Sequence, residues 1–202
     1  MKILREMVLI LLVTVYWVGF SGYQEYTSDS IPTVIAQPVN QYNAKNAGEN
    51  ATWQPGQTVT VYVDPNATAE TQTGVNNAIA NWNNAGVVHL QRTDDVNNAD
   101  IRVINGQLAD PHNIVFGLTQ TKQTSRQINS ALITINNQAI AKYHQRDDMS
   151  EQAYTNMVCT HEMGHALGLN HTTPGTNSVM QPGTDRNIQP YDIQRVQMLY
   201  RH

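Results

Sequence analysis

The sequence predicts an α+β (α/β-like) domain built on one twisted, mainly parallel sheet. Three observations carry this. The elements read in the order strand, helix, three or four strands, long helix, loop, short helix. The hydrophobic period switches between about 2 in the strands and about 3.6 in the helices. The chain has 202 residues, enough for one domain with a substantial core.

The first strand is "QTVTVYVD" (57–64), where β-branched residues alternate with polar ones. "TGVNNAIANWNNAG" follows as a helix. Val75, Ala78, Ile79 and Trp82 fall on one face, and Gly86 closes it. "VVHLQRT" (87–93) and "ADIRVIN" (99–105) read as further strands. "NIVFGLTQTK" (113–122) and "SALITIN" (130–136) read as two more, joined by a polar loop. Ser150 is placed to cap a long helix running to about Leu167. A turn-rich stretch follows. "PYDIQRVQMLY" closes the chain as a short helix with Ile193, Val196 and Leu199 on one stripe.

Order is expected to begin near Trp53. Residues 22–50 are rich in Ser, Thr, Asn, Gln and Pro and read as a linker or short pro-segment. Ahead of them, Lys2 and Arg5 precede an apolar run from Met7 to Phe20. That run suits a signal-peptide core and falls short of the roughly 20 residues of a full membrane span. Residues 1–21 are read as a signal peptide or signal anchor, with a membrane tether through residues 7–20 in the second case; a buried N-terminal helix is the third reading. Either export reading places residues 51–202 outside the cytoplasmic membrane, secreted or anchored to its outer face.

Net charge is −4, and no basic run or stripe is present, so a nucleic-acid partner is not expected. The single cysteine, Cys159, excludes an intrachain disulfide. A monomer stabilised by its core and by metal is expected.

Three of the chain's seven histidines lie within "HEMGHALGLNH", residues 161–171. On a helix, His161 and His165 are one turn apart and project from the same face. Two neutral imidazoles at that spacing can hold one zinc ion. Glu162 lies about 100° around the helix, so its carboxylate can reach a zinc-bound water without being a ligand. Gly168 tolerates positive φ, so the helix can end there and the chain can swing back to deliver His171. Three protein ligands leave the fourth position open, as catalytic zinc requires. Cys159 points away from this face and reads as a small buried hydrophobe. His89, His112 and His144 are scattered and read as surface or locally bonded residues.

These residues resemble the extended zinc signature of the metzincin metalloproteases. Further features resemble the matrixin branch, the fold of the matrix metalloproteinase catalytic domain. Thr172 follows the third histidine where matrixins usually carry serine. Met180 and Pro182 in "SVMQP" resemble the methionine turn beneath the zinc. "TVTVYVD", "VNNAIANWNNAGVVHL" and "ADIRV" are similar to the family's first strand, first helix and next two strands, and Asp192 in "DIQRVQMLY" stands in place of a characteristic aspartate. The resemblance covers roughly residues 51–202. It implies a zincin/metzincin fold, with one antiparallel edge strand, a long active-site helix and a C-terminal helix.

The resemblance further implies a zinc-dependent endopeptidase with one catalytic zinc. A zinc-activated water would hydrolyse the peptide bond, with Glu162 as general base. A protein or peptide substrate would lie extended along the strand around Val115 to Thr121. No cysteine-switch motif is present, and the usual calcium-loop pattern is absent, so calcium is not expected. The family's specificity-pocket tyrosine is replaced by Thr184 or Asp185, and Gln181 stands where some metzincins place an assisting tyrosine. Two other functions remain open at this level: a zinc hydrolase acting on cell-wall peptide crosslinks, and a non-catalytic zinc-scaffold binding protein, which retention of Glu162 disfavours.

Overall fold

A computed structural model describes residues 9–13 and 51–201, apart from 111–112 and 184–186. The expected linker at 22–50, His112, Thr184 and Asp185 lie outside the described residues, as does most of the expected export segment.

The elements in chain order are β1 (Leu9–Val13), β2 (Thr58–Val63), α1 (Ala69–Asn83), β3 (His89–Arg92), β4 (Ile101–Asn105), β5 (Gly117–Thr124), β6 (Gln127–Ile135), α2 (Asn137–Tyr143), α3 (Glu151–Ala166) and α4 (Pro190–Leu199). A short 3₁₀ turn, His144–Asp147, joins α2 to the approach to α3. Strands β3, β2, β4 and β6 are parallel neighbours, and β5 pairs antiparallel with β6. The domain sheet is thus five strands, mostly parallel, with one antiparallel edge strand, as the sequence predicts. On the outer side of β5, β1 pairs antiparallel, with Leu9 opposite Gln123 and Val13 opposite Thr119.

One face of the sheet is buried. Val59, Val61, Ile101, Val103, Ile133 and Thr119 lie on it, under α1 and α3. In α1, Val75, Ala78, Ile79 and Trp82 are all buried, as their spacing predicts. Thr68 caps that helix by accepting from the Thr71 amide, and Gly86 adopts φ +68° just beyond its end. In α4, Val196 is buried, and Ile193 and Leu199 pack against the core.

Two expectations are corrected in detail, and one element was not anticipated. Residues 113–116 are not strand; β5 starts at Gly117. The polar loop expected after residue 122 is a tight hairpin, because Ser125 takes φ +56° and lets Thr124 pair with Gln127. The helix α2 does not stand out in the hydrophobic pattern, since Ile140 is its one buried residue; it is nucleated instead by Asn136, whose side chain accepts from the Ala139 amide.

Helix α3 is held at its C-terminal end by groups from distant parts of the chain. A helix leaves its last four carbonyls without partners inside the helix. The Gly168 amide donates to His165 O at 2.9 Å and the Leu169 amide to Gly164 O at 3.0 Å, the pattern of a Schellman turn. The Trp53 indole donates to Ala166 O at 2.8 Å, and the Tyr200 hydroxyl donates to Leu167 O at 3.1 Å. Trp82 adds an indole bond to Thr160 O at 2.8 Å. Both tryptophans are buried in the core. Their polar edges fix the depth and rotation of α3, and with it every side chain the helix presents.

Candidate active site

The site is assembled from α3, the turn after it, the loop before α4 and strand β5. Ser150 caps α3 by accepting from the Ala153 amide, as the sequence predicts. One turn apart on the helix, His161 and His165 approach each other at 3.1 Å between their Nε2 atoms. Gly168 takes φ +94°, conformationally costly for any residue with a Cβ, and the chain reverses there. The reversal carries His171 back until its Nε2 lies 3.3 Å from His161 Nε2. The three imidazoles are the one cluster of three or more His, Cys, Asp or Glu side chains with metal-ligand spacing among the described residues.

Hydrogen bonds on the far sides of two of the rings, His161 and His165, define their tautomers. His161 Nδ1 meets Val179 O at 2.5 Å and His165 Nδ1 meets Leu169 O at 2.7 Å. A carbonyl only accepts, so each Nδ1 carries a proton and each neutral ring presents its Nε2 lone pair. Two lone pairs 3.1 Å apart repel unless a cation lies between them. Zn–N bonds of about 2.0 Å in a tetrahedron separate neighbouring nitrogens by about 3.3 Å, close to the spacings found here. The donor set therefore fits a zinc ion with three nitrogen ligands. Burial lowers the His161 imidazole to about 4. Burial first, then the charges of His161 and Arg195, lowers His171 to about 3. Burial, then the neighbouring histidines, brings His165 well below its usual value. All three are neutral at physiological pH, the form a metal needs.

The loop beneath the rings is fixed by Asp192, which is fully buried. Its Oδ1 accepts a short bond from the Ser178 hydroxyl, and its Oδ2 accepts from the Val179 and Gln189 amides, each at 2.9 Å. Ser178 Oγ accepts in turn from the Met180 amide at 2.9 Å. The peptide between Val179 and Met180 is thereby oriented so that Val179 O faces His161. Met180 itself is completely buried, with its sulfur against Gly164, where a Cβ would collide with it. Pro182 follows, half-buried, at the exit of the turn.

Glu162 is also fully buried. Its Oε2 accepts from Thr119 Oγ1 at 2.7 Å. Its Oε1 is buried without a hydrogen-bond partner. Burial raises this carboxyl to about 8, against the lowering effect of the Thr119 bond. A cation held by the adjacent histidines would favour the carboxylate form again. Cys159 lies on another side of α3, where its sulfur sits against Gly74 of α1; burial pushes its thiol up. His144 Nδ1 is bonded locally to Met149 O at 2.7 Å, and His89 is exposed. Neither joins the site.

The matrixin family model matches residues 52–201. The chain belongs to the matrixin family. It is a zinc metalloendopeptidase of that family, and its sheet and helices have the matrixin arrangement. Among solved structures, this matrixin is similar to high choriolytic enzyme 1, a hatching-enzyme zinc-protease from the medaka fish Oryzias latipes. That match has 13% identity and a TM-score of 0.48, covering 74% of this chain and 94% of the other. It is also similar to myroilysin, at 15% identity and a TM-score of 0.49, covering 75% of this chain and 83% of the other. No curated protein matches its sequence.

Three contributors to the site were not singled out from the sequence. Thr119 and Gly117 sit two apart on β5 and both face Glu162; their signal was the alternation of the strand, which predicts a shared face but not what that face meets. Arg195 donates from Nη2 to Asn170 O at 3.0 Å, bracing the turn that delivers His171. In sequence it reads only as a polar residue of an amphipathic helix.

Proposed function

We propose that this matrixin cleaves internal peptide bonds of protein or peptide substrates, with His161, His165 and His171 holding one zinc ion and Glu162 acting as general base. A bound zinc supplies a Lewis acid that polarises the scissile carbonyl and lowers the pKa of water. The chain's own part is positional and protonic. The three imidazoles are neutral; Val179 O locks His161 and Leu169 O locks His165, and the Nε2 of His171 is brought to 3.3 Å from that of His161 by the turn at Gly168. Glu162 is held outside that ligand set. Its unpartnered Oε1 takes the proton of the attacking water and passes it to the departing nitrogen. Met180 and Pro182 form a structural turn beneath the ligands and contribute no donor.

The observation that carries this reading is the pairing of two facts: the Nε2 atoms of His165 and His171 lie 3.1 and 3.3 Å from that of His161, and a neighbouring buried carboxylate has one oxygen unpartnered. A purely structural zinc site has no use for such a carboxylate.

The substrate is proposed to lie extended along the outer edge of β5. Supporting this, that edge accepts β1 as an antiparallel strand from Thr119 to Gln123. Lys2 and Arg5 ahead of the apolar run support an extracytoplasmic location; protection of the domain from added protease on intact cells would contradict it. The activity itself is tested on casein. Hydrolysis should cease on chelation and return with zinc. Hydrolysis that persists after verified removal of metal would refute the reading.

A further inference from the structure

Strand β5 meets Glu162 in two places. At Gly117 a Cβ would stand 2.5 Å from Glu162 Oε1, 2.7 Å from its Cγ and 2.8 Å from its Cδ. No side chain fits there, so the carboxylate lies directly on the strand's backbone. Two residues on, Thr119 is fully buried and its hydroxyl reaches two oxygens of the same residue: Oε2 at 2.7 Å and the main-chain O at 3.0 Å. Both act as acceptors toward a carboxylate form, so the single hydroxyl proton is shared between them. The bridge folds the Glu162 side chain back along its own helix. The strand's period of two aims both residues at the same target.

We infer that Gly117 and Thr119 form a cradle that selects which oxygen of Glu162 does the chemistry: Thr119 immobilises Oε2, and Gly117 leaves space for Oε1 to stand free as the proton acceptor. Thr119 is a positioning residue: its hydroxyl acts through Glu162, whatever its backbone pairs with along the strand edge. This rests on the general-base reading of Glu162. It adds a geometric requirement that the histidine signature does not contain. A small residue followed at i+2 by a hydroxyl is needed on the strand beside the base. The cradle also ties the base to the strand proposed to carry the substrate. A shift of β5 along its axis would move the base with the peptide, preserving their register.

The test uses the full zinc-loaded chain. Thr119→Val removes the hydroxyl at constant shape, Thr119→Ala removes it with less risk of crowding, and Thr119→Ser restores it. The first two should lower kcat by about tenfold to a hundredfold, a typical penalty for a displaced catalytic group. KM should stay within about threefold, and zinc should remain at one per chain. Thr119→Ser should recover most of kcat. Gly117→Ala should lower kcat by displacing the carboxylate while leaving zinc bound. A merely structural role for Thr119 would lower thermal stability without this split between kcat and KM.

Orientation is read separately, from crystal structures of the wild type and the Thr119 variants. The Glu162 carboxylate should rotate in Thr119→Val and Thr119→Ala and return in Thr119→Ser. An unchanged carboxylate in all of them overturns the cradle whether or not the protein hydrolyses peptides. A wild-type chain that binds zinc and fails to cleave any peptide overturns the general-base reading instead. Wild-type kcat in both Thr119→Val and Thr119→Ala would also overturn the cradle.

Discussion

Replacing Asp192 by asparagine keeps the shape of a fully buried side chain and removes its charge. The carboxylate accepts from three donors: the Ser178 hydroxyl and the amides of Val179 and Gln189. An asparagine offers one accepting oxygen. In one orientation its amide nitrogen faces two N–H donors. In the other, the oxygen serves the two amides and the nitrogen donates to Ser178 Oγ, which already accepts from the Met180 amide. The second orientation is cheaper, yet it leaves the Ser178 proton without an acceptor. An orphaned buried donor costs about 1–3 kcal/mol, and each of two N–H bonds demoted from a charged to a neutral acceptor loses about 1 kcal/mol. Asp192→Asn should therefore destabilise the metal-free protein by roughly 3–5 kcal/mol. Because the same network orients Val179 O toward His161, zinc affinity should fall by about 10- to 100-fold. Urea unfolding in chelator measures the first, and competition with a zinc indicator measures the second. Adding Ser178→Ala removes the orphaned hydroxyl, so the double variant should be more stable than Asp192→Asn alone. A change below about 0.5 kcal/mol in Asp192→Asn, within the range of an ordinary surface substitution, would refute the reasoning.

Further outcomes follow from the same geometry. In the metal-free protein, the histidines with lowered pKa take up protons on unfolding below about pH 6.5, so stability should fall as pH drops from there towards 4, the value of His161. Glu162, raised to about 8, acts oppositely. Its contribution is full below the unfolded value near 4.5 and is lost as pH rises through 8. Thermal unfolding in chelator should thus show a maximum between pH 6 and 7, roughly where the usual histidine pKa lies, and a monotonic rise to pH 9 would contradict these environments. Cys159→Ser should retain zinc-dependent hydrolysis at a stability cost of about 1–3 kcal/mol for the buried hydroxyl, and mercurials should not activate the full chain. A chain beginning at residue 51 should be active as made and should cleave peptides faster than a full-length chain purified with residues 9–13 uncleaved and outside a membrane, because it lacks the strand that lies against Thr119 to Gln123; equal rates would show that β1 does not compete with substrate.

The parts of this fold legible in sequence are those governed by local periodicity. Val75, Ala78, Ile79 and Trp82 declared α1 because burial and helical spacing coincide. Gly168 and Ser150 marked the ends of the zinc helix because caps are short-range chemistry. The histidine triad was legible because one helix turn and one glycine reversal suffice to build it. What escaped was set by pairing between segments far apart in sequence. The hairpin at Ser125 depends on the β5–β6 register, and α2 is ordered by an N-cap that carries no hydrophobic period. Thr119 meets Glu162 across 43 positions, a contact no local pattern encodes. Asp192 was recognisable from resemblance, but its three donors come from Ser178, Val179 and Gln189, which only the folded loop brings together.

The measurement closest to the centre of this account is turnover of a peptide substrate by Glu162→Ala at verified zinc occupancy. His161, His165 and His171 remain, so the variant should bind one zinc per chain as the wild type does. Without the carboxylate, kcat should fall by about 10²–10⁴-fold, the usual contribution of a general base. A variant that holds its zinc and keeps turnover within about threefold of wild type would contradict the assignment of Glu162 and, with it, the proposed mechanism.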